Sequence, residues 1–133
     1  MKLIIAGSRK IEREKAKHYI DRIFRAYFQD FTIQEVIHGG NGGKRTTDGV
    51  LVGVDLAGKE WAEEKGYVTR AFYPDWEKEG KKAGPMRNQR MAKYAGKSGG
   101  LILIWDGVSR GSANMLKEAR TIGMFIRGVK ITI

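Results

Sequence analysis

The chain has 133 residues, 41% of them hydrophobic, which is enough for one domain with a real core. It carries no cysteine and only two isolated histidines, His18 and His38, so disulfides and thiolate chemistry are excluded and no metal site is expected. Lys and Arg number 25 against 15 Asp and Glu, a net charge of +10, and a field of that sign draws phosphate-bearing partners, small or polymeric.

The longest apolar run falls well short of the roughly 20 residues that span a bilayer, and the chain opens on a strand pattern instead of a secretion signal. A cytoplasmic protein with no membrane contact is expected. Lys2–Ala6 is a short apolar run halted by the small-residue turn Gly7-Ser8-Arg9, and reads as the first strand. Ala16, Tyr19, Ile20, Ile23, Phe24, Tyr27 and Phe28 then recur with helical spacing, predicting an amphipathic helix over Glu12–Phe28, with His18 off its stripe and solvated. Thr32–His38 is a second strand, followed directly by Gly39-Gly40. Asn41–Thr47 has no apolar residue and predicts a mobile loop with Lys44 and Arg45 at its tip.

Asp55 is placed to cap a helix through Leu56, Ala57, Trp61 and Ala62 that stops near Gly66. Tyr67–Tyr73 is a third strand, broken by Pro74, and Asp75–Gly84 is a long polar connection. Pro85 suits the first position of a helix over Met86–Ala95. Leu101–Trp105 is five consecutive apolar residues between glycines, the pattern of a strand buried on both faces. After the turn Asp106–Gly111, Ser112 stands where a helix cap belongs, ahead of an apolar stripe at Met115, Leu116, Ala119 and Ile122. The helix runs to about Gly123, and Val129–Ile133 is a last strand. Met91 and Met115 read as core.

This strict alternation of strand and helix predicts an α/β fold: a single Rossmann-like domain over residues 1–133, a parallel sheet with helices on both faces. Ligands of such sheets sit beyond the carboxyl ends of the strands. The turns meeting there, Gly7–Arg9, Gly39–Arg45, Pro74–Trp76 and Asp106–Gly111, are those that carry glycine and arginine.

Two helix starts break the local rule that first turns favour carboxylates: Arg87 follows Pro85 and Arg110 precedes Ser112. Either an anion lies there, or the side chains reach water or pair with Asp75, Asp106 or Glu79. Ser109, Gly111 and Ser112 beside Arg110 add donors and backbone access. Asp75 and Trp76 offer a carboxylate for a ribose hydroxyl and a ring for a base, or else a plain turn with Trp76 folded onto the core. Asp106 is the best-placed carboxylate for acid–base work, with a helix cap or a salt bridge to Arg110 as the ordinary alternative. Neither glycine pattern is the dinucleotide fingerprint or the Walker sequence, and no cofactor is expected.

Taken together, Gly7-Ser8-Arg9, Gly39-Gly40 with Gly53-Val54-Asp55, Tyr73-Pro74-Asp75-Trp76, GKKAGPMRNQRM over Gly80–Met91 and WDGVSRGSANMLKEA over Trp105–Ala119 resemble the YspA-related family of the SLOG superfamily. That superfamily includes the Smf/DprA DNA-processing proteins and the lonely-guy phosphoribohydrolases. The resemblance implies a Rossmann-like sheet, a nucleotide or nucleotide-derived ligand and a homodimer. The site positions it carries over are Gly7, Ser8, Arg9, Gly39, Gly40, Asp75, Arg87, Asn88, Gly107, Ser109, Arg110, Gly111 and Ser112. The longer loop with Lys44 and Arg45 departs from the family pattern. In the hydrolytic relatives an arginine and a methionine four apart precede Gly-Thr-x-x-Glu, whose glutamate does acid–base work. Arg87 and Met91 resemble the first half, but Met115 stands where that glutamate belongs, and Glu118 lies three residues further on.

The leading expectation is therefore a binding module for a nucleotide-derived small molecule, a sensor or sequestering protein. A hydrolase of N-glycosidic or phosphate bonds using Asp75 or Asp106 ranks second. Nucleic-acid binding ranks third, because aromatic residues are not interleaved with the basic ones.

Overall fold

The computed structural model describes residues 1–132. Its element order is β1 (Lys2–Gly7), α1 (Arg13–Ile23) running into a π-helical turn (Phe24–Phe28), β2 (Glu35–His38), a hairpin of β3 (Lys44–Arg45) and β4 (Leu51–Val52), and α2 (Val54–Glu64). Then come β5 (Thr69–Ala71), α3 (Trp76–Glu79) with a 3-10 turn (Gly80–Lys82), α4 (Ala83–Ala95), β6 (Gly100–Trp105), α5 (Arg110–Ile122) and β7 (Phe125–Lys130). Five strands form one parallel sheet in the order β5-β2-β1-β6-β7. The fold is the expected Rossmann-like α/β arrangement.

Alternation along the strands assigns the two layers. Leu3, Ile5, Val36, Ile102 and Ile104 face Ala16, Ile20 and Ile23 of α1 and Val54, Ala57, Trp61 and Ala62 of α2. The intervening residues Ile4, Ala6, Ile37, Leu101 and Leu103 face Met91, Ala92 and Ala95 of α4 and Met115 and Ala119 of α5. Leu101–Ile104 are all buried, as a strand covered on both faces requires, and Met91 and Met115 are core. Strand order reverses at β1, so the helices after β1 and β6 leave on opposite faces and open a crevice between these strand ends.

Several boundaries differ from the sequence expectation for tertiary reasons. β2 starts at Glu35, not Thr32, because its partner β1 starts at Lys2 and only Lys2–Ile4 pair with Glu35–Ile37. β5 is limited to three residues because it is an edge strand whose one ladder, among the described residues, is to Val36–His38. β7 begins at Phe125 instead of Val129, pairing all along β6 despite Arg127 and Gly128, and Arg127 lies over the rings of Phe125 and Tyr27. Ile133, in the expected last strand, lies outside the described residues. In the first helix the π-helical turn widens the spiral, so Phe28 is buried while Tyr27 stays 51% exposed. Lys44 and Arg45 pair with Leu51 and Val52, so the loop tip is Thr46–Val50. Pro85 is the third residue of α4, entered from the 3-10 turn; in a first turn its missing N–H costs nothing.

Candidate functional site

A cavity of about 630 Å³ opens at the crevice between the ends of β1 and β6. Its walls are the β1 exit (Ala6–Lys10), Gly39 after β2, Asp55 of α2, Trp76, Lys81, the first turns of α4, and the β6 exit with the start of α5. The size suits a small-molecule ligand, for which about 300–1,000 Å³ is usual.

Close backbone approach shapes the β1 side. Gly7 runs so near β6 that a Cβ would overlap the Ile104 carbonyl oxygen, and Ser8 N–H donates to that same oxygen at 3.0 Å. The buried Ser8 hydroxyl accepts from Lys10 N–H at 3.2 Å, turning Arg9 and Lys10 outward at the rim. On the β6 side Asp106 Oδ1 accepts from the N–H groups of Val108 at 3.0 Å and Ser109 at 2.8 Å. Those two bonds hold the Asp106 carboxyl below the usual carboxylate range. Asp106 is thus a turn cap, neither the cap of α5 nor, among the described residues, an ion-pair partner of Arg110.

The helix cap is Ser109, not Ser112: its side chain accepts from Ser112 N–H at 3.4 Å. Moving the cap three residues earlier puts Arg110, Gly111 and Ser112 inside the first turn of α5, where N–H groups lack intrahelical acceptors. Ser112 is buried and its Oγ has no hydrogen-bond partner among the described residues, although the residue lines the cavity. Buried Asn88 ties α4 to this turn, its Nδ2 donating to Gly111 O at 3.3 Å and to Asn114 Oδ1 at 2.9 Å.

Arg87 donates Nη1 to Gly39 O and Nε to Asn88 Oδ1 at 2.9 Å, and pairs with none of Asp75, Asp106 and Glu79. Glu79 is taken by Arg90 at 3.5 Å. Asp55 is likewise not a cap: Gly53 holds that position and the Asp55 carboxylate, inside the first turn of α2, borders the cavity next to Gly39. Desolvation raises the Asp55 carboxyl above its ordinary value, against the pull of Arg87, of the Asn41 and Gly39 N–H groups and of Arg9. Burial lowers the Arg87 guanidinium, with Asp55 opposing.

Of the expected site residues, Gly7, Ser8, Arg9, Gly39, Trp76, Arg87, Asn88, Asp106, Ser109, Arg110, Gly111 and Ser112 meet in this one cavity. Three do not border it. Asp75 accepts from Lys78 N–H at 3.1 Å as the cap of α3. Gly40 and Gly107 lie in the left-handed region, at φ 75° beside the Tyr73 ring and φ 85° beside Lys130, and so shape turns. Trp76 is 52% exposed at the rim, its ring edge against Gly84, and is not folded into the core.

Sequence reasoning missed Lys10, Lys81 and Asn114, and gave Asp55 the wrong role. The hint for Asp55 was its place in Gly53-Val54-Asp55, which the resemblance sets together with Gly39-Gly40.

Cations outnumber carboxylates around the cavity, five against Asp55 and Asp106. Arg9, Lys10, Lys81, Arg87 and Arg110 all border the cavity, and among the described residues none makes an ion pair within 4.0 Å. Among the same residues Arg13, Lys17, Arg25, Lys59, Lys65, Arg70 and Arg90 are paired, whereas other surface cations such as Lys15, Arg22, Lys93 and Arg120 are not, so what sets the five apart is their convergence on one cavity. Compared with protein-family models, curated proteins and solved structures, the chain matches none, so the chemistry of this cavity carries the functional reading.

Proposed function

We propose that the protein binds a nucleotide or nucleotide-derived small ligand in this cavity, as a sensor or sequestering module. The observation that carries the reading is the convergence of five unpaired cations on a cavity that also holds the first turn of α5. Cations at a positive helix end repel it unless an anion intervenes, and a phosphate there is stabilised by both. The exposed Trp76 ring at the rim offers a base a stacking surface. Membership of the SLOG superfamily is part of the same proposal, supported by the clustering of most of the resembling positions.

Binding ranks above hydrolysis because both candidate carboxylates are already engaged, Asp75 as a helix cap and Asp106 by two N–H groups. Met115, at the position of the hydrolytic glutamate, is buried in the core. Calorimetric titration with nucleoside mono- and diphosphates, cyclic nucleotides and ADP-ribose tests the reading. Arg9→Ala and Arg110→Ala are each expected to weaken binding about tenfold or more, the value of a charged hydrogen bond, and to shift stability by less than about 0.5 kcal/mol. No binding across the panel, or binding undiminished in both variants, refutes it. A polymer bound instead through phosphates would show affinity falling steeply with salt.

A further inference from the structure

Asp55 and Arg87 stand on either side of Gly39 in an arrangement that phosphate binding does not explain. A Cβ built on Gly39 would lie 2.5 Å from Arg87 Nη1 and 2.7 Å from Asp55 Oδ2. The two charged atoms therefore lie no further apart than those distances laid end to end, yet they miss the 4.0 Å limit of an ion pair. A separation in that range is one that a single oxygen, approaching from the cavity side of Gly39, can span by donating to the carboxylate and accepting from the guanidinium at ordinary hydrogen-bond lengths. Water aside, the group with one donor and one acceptor on one oxygen is a hydroxyl.

Both side chains stand at the cavity wall. Arg87 is fixed by its bonds to Gly39 O and Asn88 Oδ1. Asp55, in the first turn of α2, sets its Oδ2 against Gly39, and both residues border the cavity. A carboxylate is a poor neighbour for phosphate, so a negative group kept in this cationic cavity is suited to a neutral part of the ligand. Asp75, the carboxylate offered for a ribose hydroxyl, and Asp106 are spent on backbone N–H groups.

We propose that Asp55 and Arg87 form a hydroxyl-recognition subsite that selects a phosphorylated ribose over its deoxy counterparts. The inference rests on the phosphate-ligand reading above and narrows it to ribose-bearing ligands. Its test is calorimetric titration of the unaltered protein with ribonucleoside 5′-monophosphates and their 2′-deoxy and 3′-deoxy counterparts. At least one deoxy series is expected to bind about tenfold to a hundredfold more weakly, since its absence leaves a charged acceptor unpaired. In Asp55→Asn, checked for folding by its melting curve, the preference is expected to shrink to within about threefold. Ribo and deoxy forms binding the unaltered protein equally overturns the subsite while leaving the phosphate reading standing. A preference that survives intact in folded Asp55→Asn also overturns it. No binding by any member overturns the subsite as stated for ribonucleoside 5′-monophosphates, while the phosphate reading is decided by the wider panel above.

Discussion

Acid sensitivity is written into the strand that delivers Gly39 to the cavity. His38, the last residue of β2, is 4% exposed, and its Nδ1 accepts from Gly40 N–H at 3.1 Å. An accepting Nδ1 places the neutral ring's proton on Nε2. Burial, with Lys59 and Arg87 nearby, pushes the ring down to about 4 from its ordinary 6.5. The unfolded chain therefore takes up this proton first as pH falls. The stabilisation is complete above pH 6.5 and is lost progressively as pH drops from there through about 4. At about 1.4 kcal/mol per pH unit that interval amounts to about 3 kcal/mol, a substantial part of the stability of a small domain.

Urea unfolding from pH 7.5 to 4.5, on the natural chain and on His38→Asn, measures it. Asn keeps an acceptor in the Nδ1 position without titrating. Asp55, whose raised value works in the opposite direction, is common to both proteins and cancels in their difference. The natural chain should lose more stability than the variant on acidification, approaching that difference toward the acid end. Parallel pH curves for the two proteins would show the reasoning about His38 to be wrong.

Three substitutions probe the cavity walls. Ser112→Ala removes a buried hydroxyl without a partner, so thermal unfolding should show it unchanged or about 1 kcal/mol more stable, while calorimetry shows nucleotide affinity falling. Gly7→Ala forces a Cβ onto a β6 carbonyl oxygen and should cost about 3 kcal/mol in urea unfolding, or prevent folding. Gly39→Ala meets only side-chain ends, 2.5 Å from Arg87 Nη1 and 2.7 Å from Asp55 Oδ2. It should leave the fold standing in a circular-dichroism melt yet weaken ligand binding by pushing that pair apart.

How far the sequence carried is clearest at α5. Leu101–Trp105 announced a strand by an unbroken apolar run, and the stripe from Met115 to Ile122 announced the helix; both patterns are local and both held. The cap was misplaced because Ser109 and Ser112 are equally good capping residues, and only the Asp106 turn selects the first. Strand lengths failed at β2 and β5, where the limit is set by how far a partner strand extends. Arg9, Arg87 and Arg110 were legible because parallel topology sends every strand exit to one rim. Asp55 was not, because its role depends on Gly39 and Arg87, which lie 16 and 32 residues away in the chain.

The central claim is that a phosphate completes the cationic turn at the start of α5. A crystal structure grown with a bound ribonucleoside 5′-monophosphate tests it most directly. The account places the phosphate within hydrogen-bond reach of the Ser109–Ser112 turn and the Arg110 side chain, and the ribose between Asp55 and Arg87. A nucleotide seated on another face, or entering this cavity with its phosphate turned to solvent, would contradict it.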